Sequence, residues 1–294
     1  MTIHGIKSAI WRTGEDIVRK HTLQMAAALS YYFVLSLFPA LIFLSAVVAY
    51  LPVPDLFNQA LSVISTLVPP DSMGVVRQIL ADMISPHRAT FLSFGLVAAL
   101  WAASGGFAAA IEALDIACEV QETRPFWRTR PLALGLTFIA GILLLVAMAV
   151  MILGPEFGTW LASQFDVPWM FALAWPYIHW VVAAGFTVLS VELLYFLAPN
   201  VRQRFRETLP GAVLAVGCWI CLSYLLGLYF RNFANFNKTY GALGAAVALM
   251  VWLYWINFVM LVGAELNTEL AKETRAGKLQ QKEFHRRRHT DQAA

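Results

Sequence analysis

Three glutamates stand inside long apolar stretches of this sequence: Glu112, Glu192 and Glu265. A carboxylate held in hydrocarbon costs on the order of 3 kcal/mol, so a chain that keeps one there uses it to bind a proton or a cation, or to anchor a helix end. Around Glu112, the residues Trp101, Ser104, Asp115 and Glu119 recur at spacings that place them near one helical face, which is expected to turn inward and line a cavity. Arg124, Arg128, Arg202 and Arg204 follow in the short connections and form a candidate basic rim. Two readings fit this pattern. In one, the carboxylates gather with the rim into a proton-coupled or cation-coupled gate. In the other, each glutamate pairs with a loop arginine and pins its helix. Glu192 is the strongest candidate for the first reading, because even its nearest basic neighbour, Arg202, is ten positions along the chain.

Other residues suggest local geometry more than chemistry. Pro39 removes one backbone hydrogen bond from an apolar stretch and is expected to kink it, as in the broken helices that build transporter sites. Gly241, Gly244, Ala245 and Ala248 make a small-residue stripe suited to close helix packing, and Gly105 and Gly106 read the same way. His4, His21, His87, His179, His285 and His289 are scattered without the HxH or HExxH spacing of a metal enzyme. Cys218 and Cys221 have redox spacing but lie in an apolar run, where packing is the expected role. There is no serine or cysteine nucleophile motif and no P-loop, so neither catalysis, a metal nor a cofactor is expected.

The elements that carry these residues are six apolar runs, each near the 20 residues a helix needs to cross a bilayer. They cover about Leu29 to Leu51, Phe91 to Ala113, Leu132 to Leu153, Tyr177 to Ala198, Gly211 to Phe230 and Ala242 to Ala264. Of the 294 residues 59% are hydrophobic and only 13% charged, with a mean hydropathy of +0.64, which excludes an ordinary soluble domain. The runs are long and continuous, unlike the short alternating strands of a membrane barrel. The expected fold is an all-α polytopic membrane bundle of about six transmembrane helices, with short amphipathic helices on the outer side. Of the 21 Lys and Arg residues, one set of connections holds only Arg77, Arg88, Arg231 and Lys238. The other set and both termini hold the rest, so both termini are expected in the cytoplasm.

Residues 1–28 read as an amphipathic cytoplasmic segment, in which Ile6, Ile10, Ile17 and Val18 alternate with basic residues. Residues 29–265 form the membrane domain, and residues 266–294 a basic cytoplasmic tail. Within the membrane domain, residues 54–86 form an outer insertion of two short helices separated by Pro69 and Pro70. They suit a cover over the outer mouth of the bundle or ordinary packing in a large loop.

Four segments carry a family resemblance: AAALSYYFVLSLFPALIFL from Ala26, WAASGGFAAAIEALDIACEVQETRPFWRTR from Trp101, ELLYFLAPNVRQRFRETLPG from Glu192, and YGALGAAVALMVWLYWINFVMLVGAELN from Tyr240. The chain resembles the YihY/BrkB family of bacterial inner-membrane proteins over most of residues 20 to 270. Asp115 departs from the family pattern, where Asn is expected. The resemblance implies six helices and an inner-membrane address. The family's names include a ribonuclease label and a virulence-factor label, and the resemblance implies for some members a link to export of lipid or lipopolysaccharide precursors.

Taken together, these features favour a transporter or flippase-like protein for an amphipathic or anionic, lipid-like solute. A membrane scaffold or assembly factor that uses the small-residue stripe for partner helices is the alternative. The expected partners are membrane lipids, with a homo-oligomer or another membrane protein as further candidates, and no nucleic acid.

Overall fold

A computed structural model describes residues 3–50, 89–165, 169–233 and 242–291. Among them there are helices and connections but no strand: α1 (Ile3–Arg19), α2 (Thr22–Tyr50), α3 (Ala89–Ala117), α4 (Phe126–Phe165), α5 (Trp169–Leu197), α6 (Phe205–Phe233) and α7 (Ala242–Asp291). Helices α2 to α7 each contain a stretch long and apolar enough to cross a bilayer, six in all. The outer insertion expected over residues 54–86 lies outside the described residues, as does Gly241.

The six spans form a closed ring. Each packs on the next in chain order, α7 returns to α2, and α7 also reaches across to α3. Neighbours run antiparallel, as where Asn267 and Trp252 of α7 meet Thr208 and Ser223 of α6, and an even number of spans puts both termini on one side of the ring, here called the terminal face. The main apolar core lies in the half of the bundle next to that face. Ala26 and Leu29 of α2, Ile111 and Leu114 of α3, Leu136 of α4, Tyr195 of α5, Ala215 of α6 and Leu261 of α7 all belong to it.

Several helices outrun their apolar stretches. Helix α7 has 50 residues, about 75 Å at 1.5 Å per residue. It continues beyond the apolar segment Ala246–Thr274 into the basic tail. Helix α2 begins at Thr22, seven residues before the first expected membrane residue. It starts there because the chain breaks at His21, which takes the left-handed conformation with φ 55° and ends α1. Helix α1 docks on α7 and α2 through its small and polar face, where Ala9, Thr13 and Asp16 are buried. Its Ile10, Trp11 and Val18 point away from the bundle.

Helix α3 ends in a Schellman cap. The Val120 N–H donates to the Asp115 carbonyl at 2.9 Å and the Glu119 N–H to that of Ile116 at 3.0 Å. The left-handed position, usually glycine, is occupied by Glu119 with φ 57°. A side chain there costs roughly 1 kcal/mol in the backbone, which implies that the Glu119 carboxylate contributes elsewhere.

Candidate functional site

Two of the three membrane glutamates are completely enclosed. Glu192 on α5 is 1% exposed and Glu265 on α7 is 0% exposed. Each receives one short hydrogen bond from a threonine on a neighbouring helix. Thr208 Oγ1 of α6 donates to Glu192 Oε1 at 2.5 Å, and Thr22 Oγ1 of α2 donates to Glu265 Oε1 at 2.5 Å. The second oxygen of each carboxyl is buried with no partner among the described residues. No arginine among the described residues pairs with either group, so these two carboxyls do not follow the reading in which each glutamate pairs with a loop arginine. A threonine hydroxyl satisfies one lone pair and neutralises no charge. What remains in each case is an enclosed carboxyl without an ion pair, and Lys20, Asp16 and Glu119 act on Glu265 from the terminal face.

Backbone contacts hold the threonine of the first pair in place. Pro210 of α6 lacks an N–H, and Asn267 of α7 bridges the turn around it. Asn267 Oδ1 accepts from the Gly211 N–H at 2.7 Å, and its Nδ2 donates to the Thr208 carbonyl at 2.7 Å. This fork requires α6 and α7 to touch. A Cβ on Gly211 would overlap the Gly263 carbonyl and the Asn267 amide, and one on Gly263 would stand 2.6 Å from the Tyr195 hydroxyl. Tyr195 in turn fills the ring interior, 1% exposed, and donates to the Met260 carbonyl at 2.5 Å. Tyr195, Thr208, Asn267 and the two glycines thus close the bundle at its terminal end.

Asp115, at the end of α3, has a different role. Its Oδ1 accepts from the Asn200 N–H at 2.6 Å, and its Oδ2 lies 3.8 Å from Arg124 Nη2. Arg124 also donates to Glu122 at 2.6 Å and to the Ala198 carbonyl at 2.7 Å. These bonds tie the α3–α4 connection to the α5–α6 connection. The Arg124 guanidinium holds the Glu122 carboxyl below its ordinary value, and Glu122 raises that of Arg124. Asp115→Asn can still accept from Asn200, whereas Asp115→Ala leaves a buried N–H unbonded at a cost of about 1–3 kcal/mol. The alanine variant is therefore expected to unfold in detergent at clearly lower temperature than the asparagine variant. Equal melting temperatures would remove this role for Asp115.

The remaining sequence candidates are dispersed. Glu112 is exposed and makes no hydrogen bond or ion pair among the described residues. The inward face drawn through Trp101, Ser104, Glu112 and Asp115 is correspondingly only half buried. Ser104 and Asp115 are enclosed, while Trp101 and Glu112 are exposed. The reason is rotation: eight residues from Ser104 to Glu112 advance the helix about 80° beyond whole turns, which carries Glu112 past the edge of the packed arc. Ser104 Oγ donates to the Trp101 carbonyl of its own helix at 2.7 Å.

Arg128, Arg202 and Arg204 are exposed and form no rim against the buried carboxylates, because the threonines occupy that position. The Arg204 N–H is instead the N-terminal cap partner of Glu207 Oε2 at 3.4 Å. Helix α2 continues through half-buried Pro39 to Tyr50. Gly244 and Ala245 fall in the first turn of α7, and Ala248 is half-buried. The close glycine contacts are elsewhere, at Gly211, Gly263 and Gly106, and at Gly158 and Gly154, which face Trp175 and His179. A Cβ on Gly106 would stand 2.8 Å from Ser36 Oγ of α2.

An ionic cluster at the terminal face involves residues the sequence did not bring together. Glu119 accepts from Arg19 at 2.8 Å and from Lys272 at 2.8 Å, and Lys20 lies 3.1 Å away. Asp16 pairs with Arg19 and Lys20, Glu269 with Lys272, and Glu273 with Arg12. Asp16, Glu119 and Glu269 bring oxygens within 4.8 Å of one another, close enough to hold a cation. The ammonium groups of Lys20 and Lys272 already supply that charge.

The hydrogen bond from Lys272, aided by Lys20, lowers the Glu119 carboxyl to about 2 from an ordinary 4.5. A depressed folded-state value means the stabilisation is present above about 4.5 and is lost as the pH falls toward 2. Protection of α1 amides from hydrogen exchange, corrected for the intrinsic rate at each pH, is accordingly expected to fall between pH 5 and pH 2, and at high salt, in the wild type. Glu119→Gln is expected to show the lowered protection already at neutral pH. Unchanged α1 protection in that variant would show that the cluster does not hold α1.

The ring of six apolar helices, with enclosed carboxyls and a polar clasp at one end, defines a multi-pass helical membrane protein. Comparison with known proteins gives the family. The model for "Virulence factor BrkB" matches residues 14–288, and this chain belongs to that BrkB family. It is 36% identical over 263 residues to YfkH of Bacillus subtilis strain 168, which carries a ribonuclease-like name, covering 88% of this chain and 94% of that protein. It is 31% identical over 266 residues to a UPF0761 membrane protein of Alkalilimnicola ehrlichii, covering 87% of this chain and 57% of the relative. A UPF0761 membrane protein of Stenotrophomonas maltophilia is 28% identical over 270 residues, and the chain again spans 57% of its length. No solved structure matches the chain.

Proposed function

We propose that this protein is a transporter or flippase-like protein that moves an amphipathic, anionic, lipid-like solute across the bacterial inner membrane. In this reading both termini are cytoplasmic, because the connections on the terminal face carry nearly all the Lys and Arg residues. The observation that carries the proposal is the pair of enclosed carboxyls, Glu192 and Glu265, each with one oxygen on a threonine and the other without a partner. A protonated carboxyl tolerates the closed, dry packing around Tyr195. An ionised one does not, and favours an arrangement that admits water or a cation. Proton binding and release at these groups therefore couples to opening of the terminal end, a minimal requirement for ion-coupled transport.

The scaffold reading draws on the glycine contacts of α6 and α7, which suit a rigid bundle, but it gives no reason for two enclosed carboxyls without an ion pair, of which Glu192 has no basic group acting on it. The ribonuclease-like name is that of the Bacillus relative, and the arrangement described here supports the transport reading instead. His179 is buried and contacts the Trp175 carbonyl at 3.1 Å.

The test is reconstitution of folded protein into vesicles with a fluorescent anionic lipid in one leaflet. Protein-dependent movement of the lipid to the other leaflet is the expected result. No movement above protein-free vesicles, with folding verified, would contradict the proposal.

A further inference from the structure

Arg130 lies within the apolar segment Phe126–Met151 of α4, and no carboxylate among the described residues pairs with it. Its guanidinium lies over the Trp101 ring, 4.3 Å from the centroid, and its Nη2 donates to the Trp101 carbonyl at 2.5 Å. That carbonyl also accepts from Ser104 Oγ. Arg130 Nε is buried with no partner. A guanidinium carries five N–H donors and a fixed positive charge, and one shared carbonyl with one aromatic face leaves both the charge and most donors uncompensated.

The surroundings indicate what compensates them. Trp101, Phe126 and Trp127 are exposed on the outer surface of the α3–α4 pair, at 49%, 61% and 78%. Trp101 and Phe126 are in ring contact, as are Phe126 and Trp127. Exposed aromatics beside a cation near a helix end are the signature of the lipid headgroup level. At that level the available anion is a phosphodiester, whose oxygens match the planar fork of arginine in two-point bonding. Stacking on Trp101 fixes the plane of the fork, so little freedom is lost on binding.

We propose that Arg130, held by Trp101, binds the phosphate of a membrane phospholipid beside the exposed rings of Phe126 and Trp127. The site is on the lipid-facing surface between α3 and α4, away from Glu192 and Glu265, and stands independently of the transport reading.

The test is native mass spectrometry of the purified full-length protein, titrated with phosphatidylglycerol or with diacylglycerol of the same chains. Wild type is expected to retain one phosphatidylglycerol at concentrations where diacylglycerol is not retained. Arg130→Gln is expected to weaken that retention at least tenfold, and Arg128→Gln, an exposed neighbour, to leave it unchanged. Equal retention of the two lipids by wild type would overturn the proposal without recourse to any variant. So would equal retention by wild type and Arg130→Gln, or displacement of the lipid by soluble glycerol phosphate at matched concentration.

Discussion

Gly211→Ala is expected to leave little folded protein. The added methyl would overlap the Gly263 carbonyl of α7 and the Asn267 side chain, none of which is the free end of a flexible group. Helices α6 and α7 must separate, and the Asn267 fork that bridges Pro210 and positions Thr208 is lost with the contact. Overpacking of this kind costs on the order of 3 kcal/mol, and the unbonded Gly211 N–H adds to it. The control lies on the same helix. Gly217 is exposed, with no atom within 4 Å of a Cβ placed there, so Gly217→Ala is expected to be neutral or slightly stabilising. Fluorescence-detected size exclusion after heating separates the two variants. A Gly211→Ala protein as stable as wild type would mean that α6 and α7 do not approach as closely as described.

The second large effect concerns chemistry, with the fold intact. Glu192→Gln and Glu265→Gln keep the shape of the side chain and an oxygen for Thr208 or Thr22, and they exchange the ionisable second oxygen for an NH2. Both variants are expected to fold, at a cost of about 1–3 kcal/mol for the amide NH2 that takes the place of the unpartnered oxygen. Solute movement is expected to fall by at least an order of magnitude in each and to lose its dependence on a pH gradient. Thr208→Val and Thr22→Val, which remove the hydroxyl that holds the carboxyl, are expected to show intermediate loss. Glu112→Gln is the internal control, because that side chain is exposed and unbonded. If Glu112→Gln and Glu192→Gln lower transport equally, burial is not what makes a glutamate functional here.

The helical class and the six spans were legible in the sequence because hydrophobic length is a property of composition, and a bilayer imposes it span by span. The position of Glu192 and Glu265 was partly legible, since both lie at the same end of their apolar runs. Their partners were not. Thr22 and Glu265 are far apart in the chain, and a hydroxyl donor leaves no charge pattern to read. The arginines drew attention because opposite charges are visible in a sequence, yet the structure spends Arg124 on Asp115, Glu122 and a carbonyl.

Glu112 shows a limit of periodicity. A face drawn through five residues tolerates an error of most of a right angle, enough to move a side chain from the core to the lipid. The Glu119 cluster was hidden for another reason: it joins the end of α3 to α1 and to the extension of α7, three segments whose proximity only the closed ring establishes. A clue was present at Gly211 and Gly263, which flank the closing family segments, but a glycine in an apolar run does not say which backbone it must admit.

The most direct measurement of the central claim is simultaneous recording of proton and solute movement in the same vesicles. Purified wild type and the Glu192→Gln, Glu265→Gln double variant would be reconstituted with a trapped pH-sensitive dye and a fluorescent anionic lipid. If the enclosed carboxyls couple the two flows, an imposed pH gradient drives lipid movement in wild type, lipid movement shifts the internal pH, and the double variant shows neither. Lipid movement in wild type without any proton flow, or flows of equal size in wild type and double variant, would contradict the account.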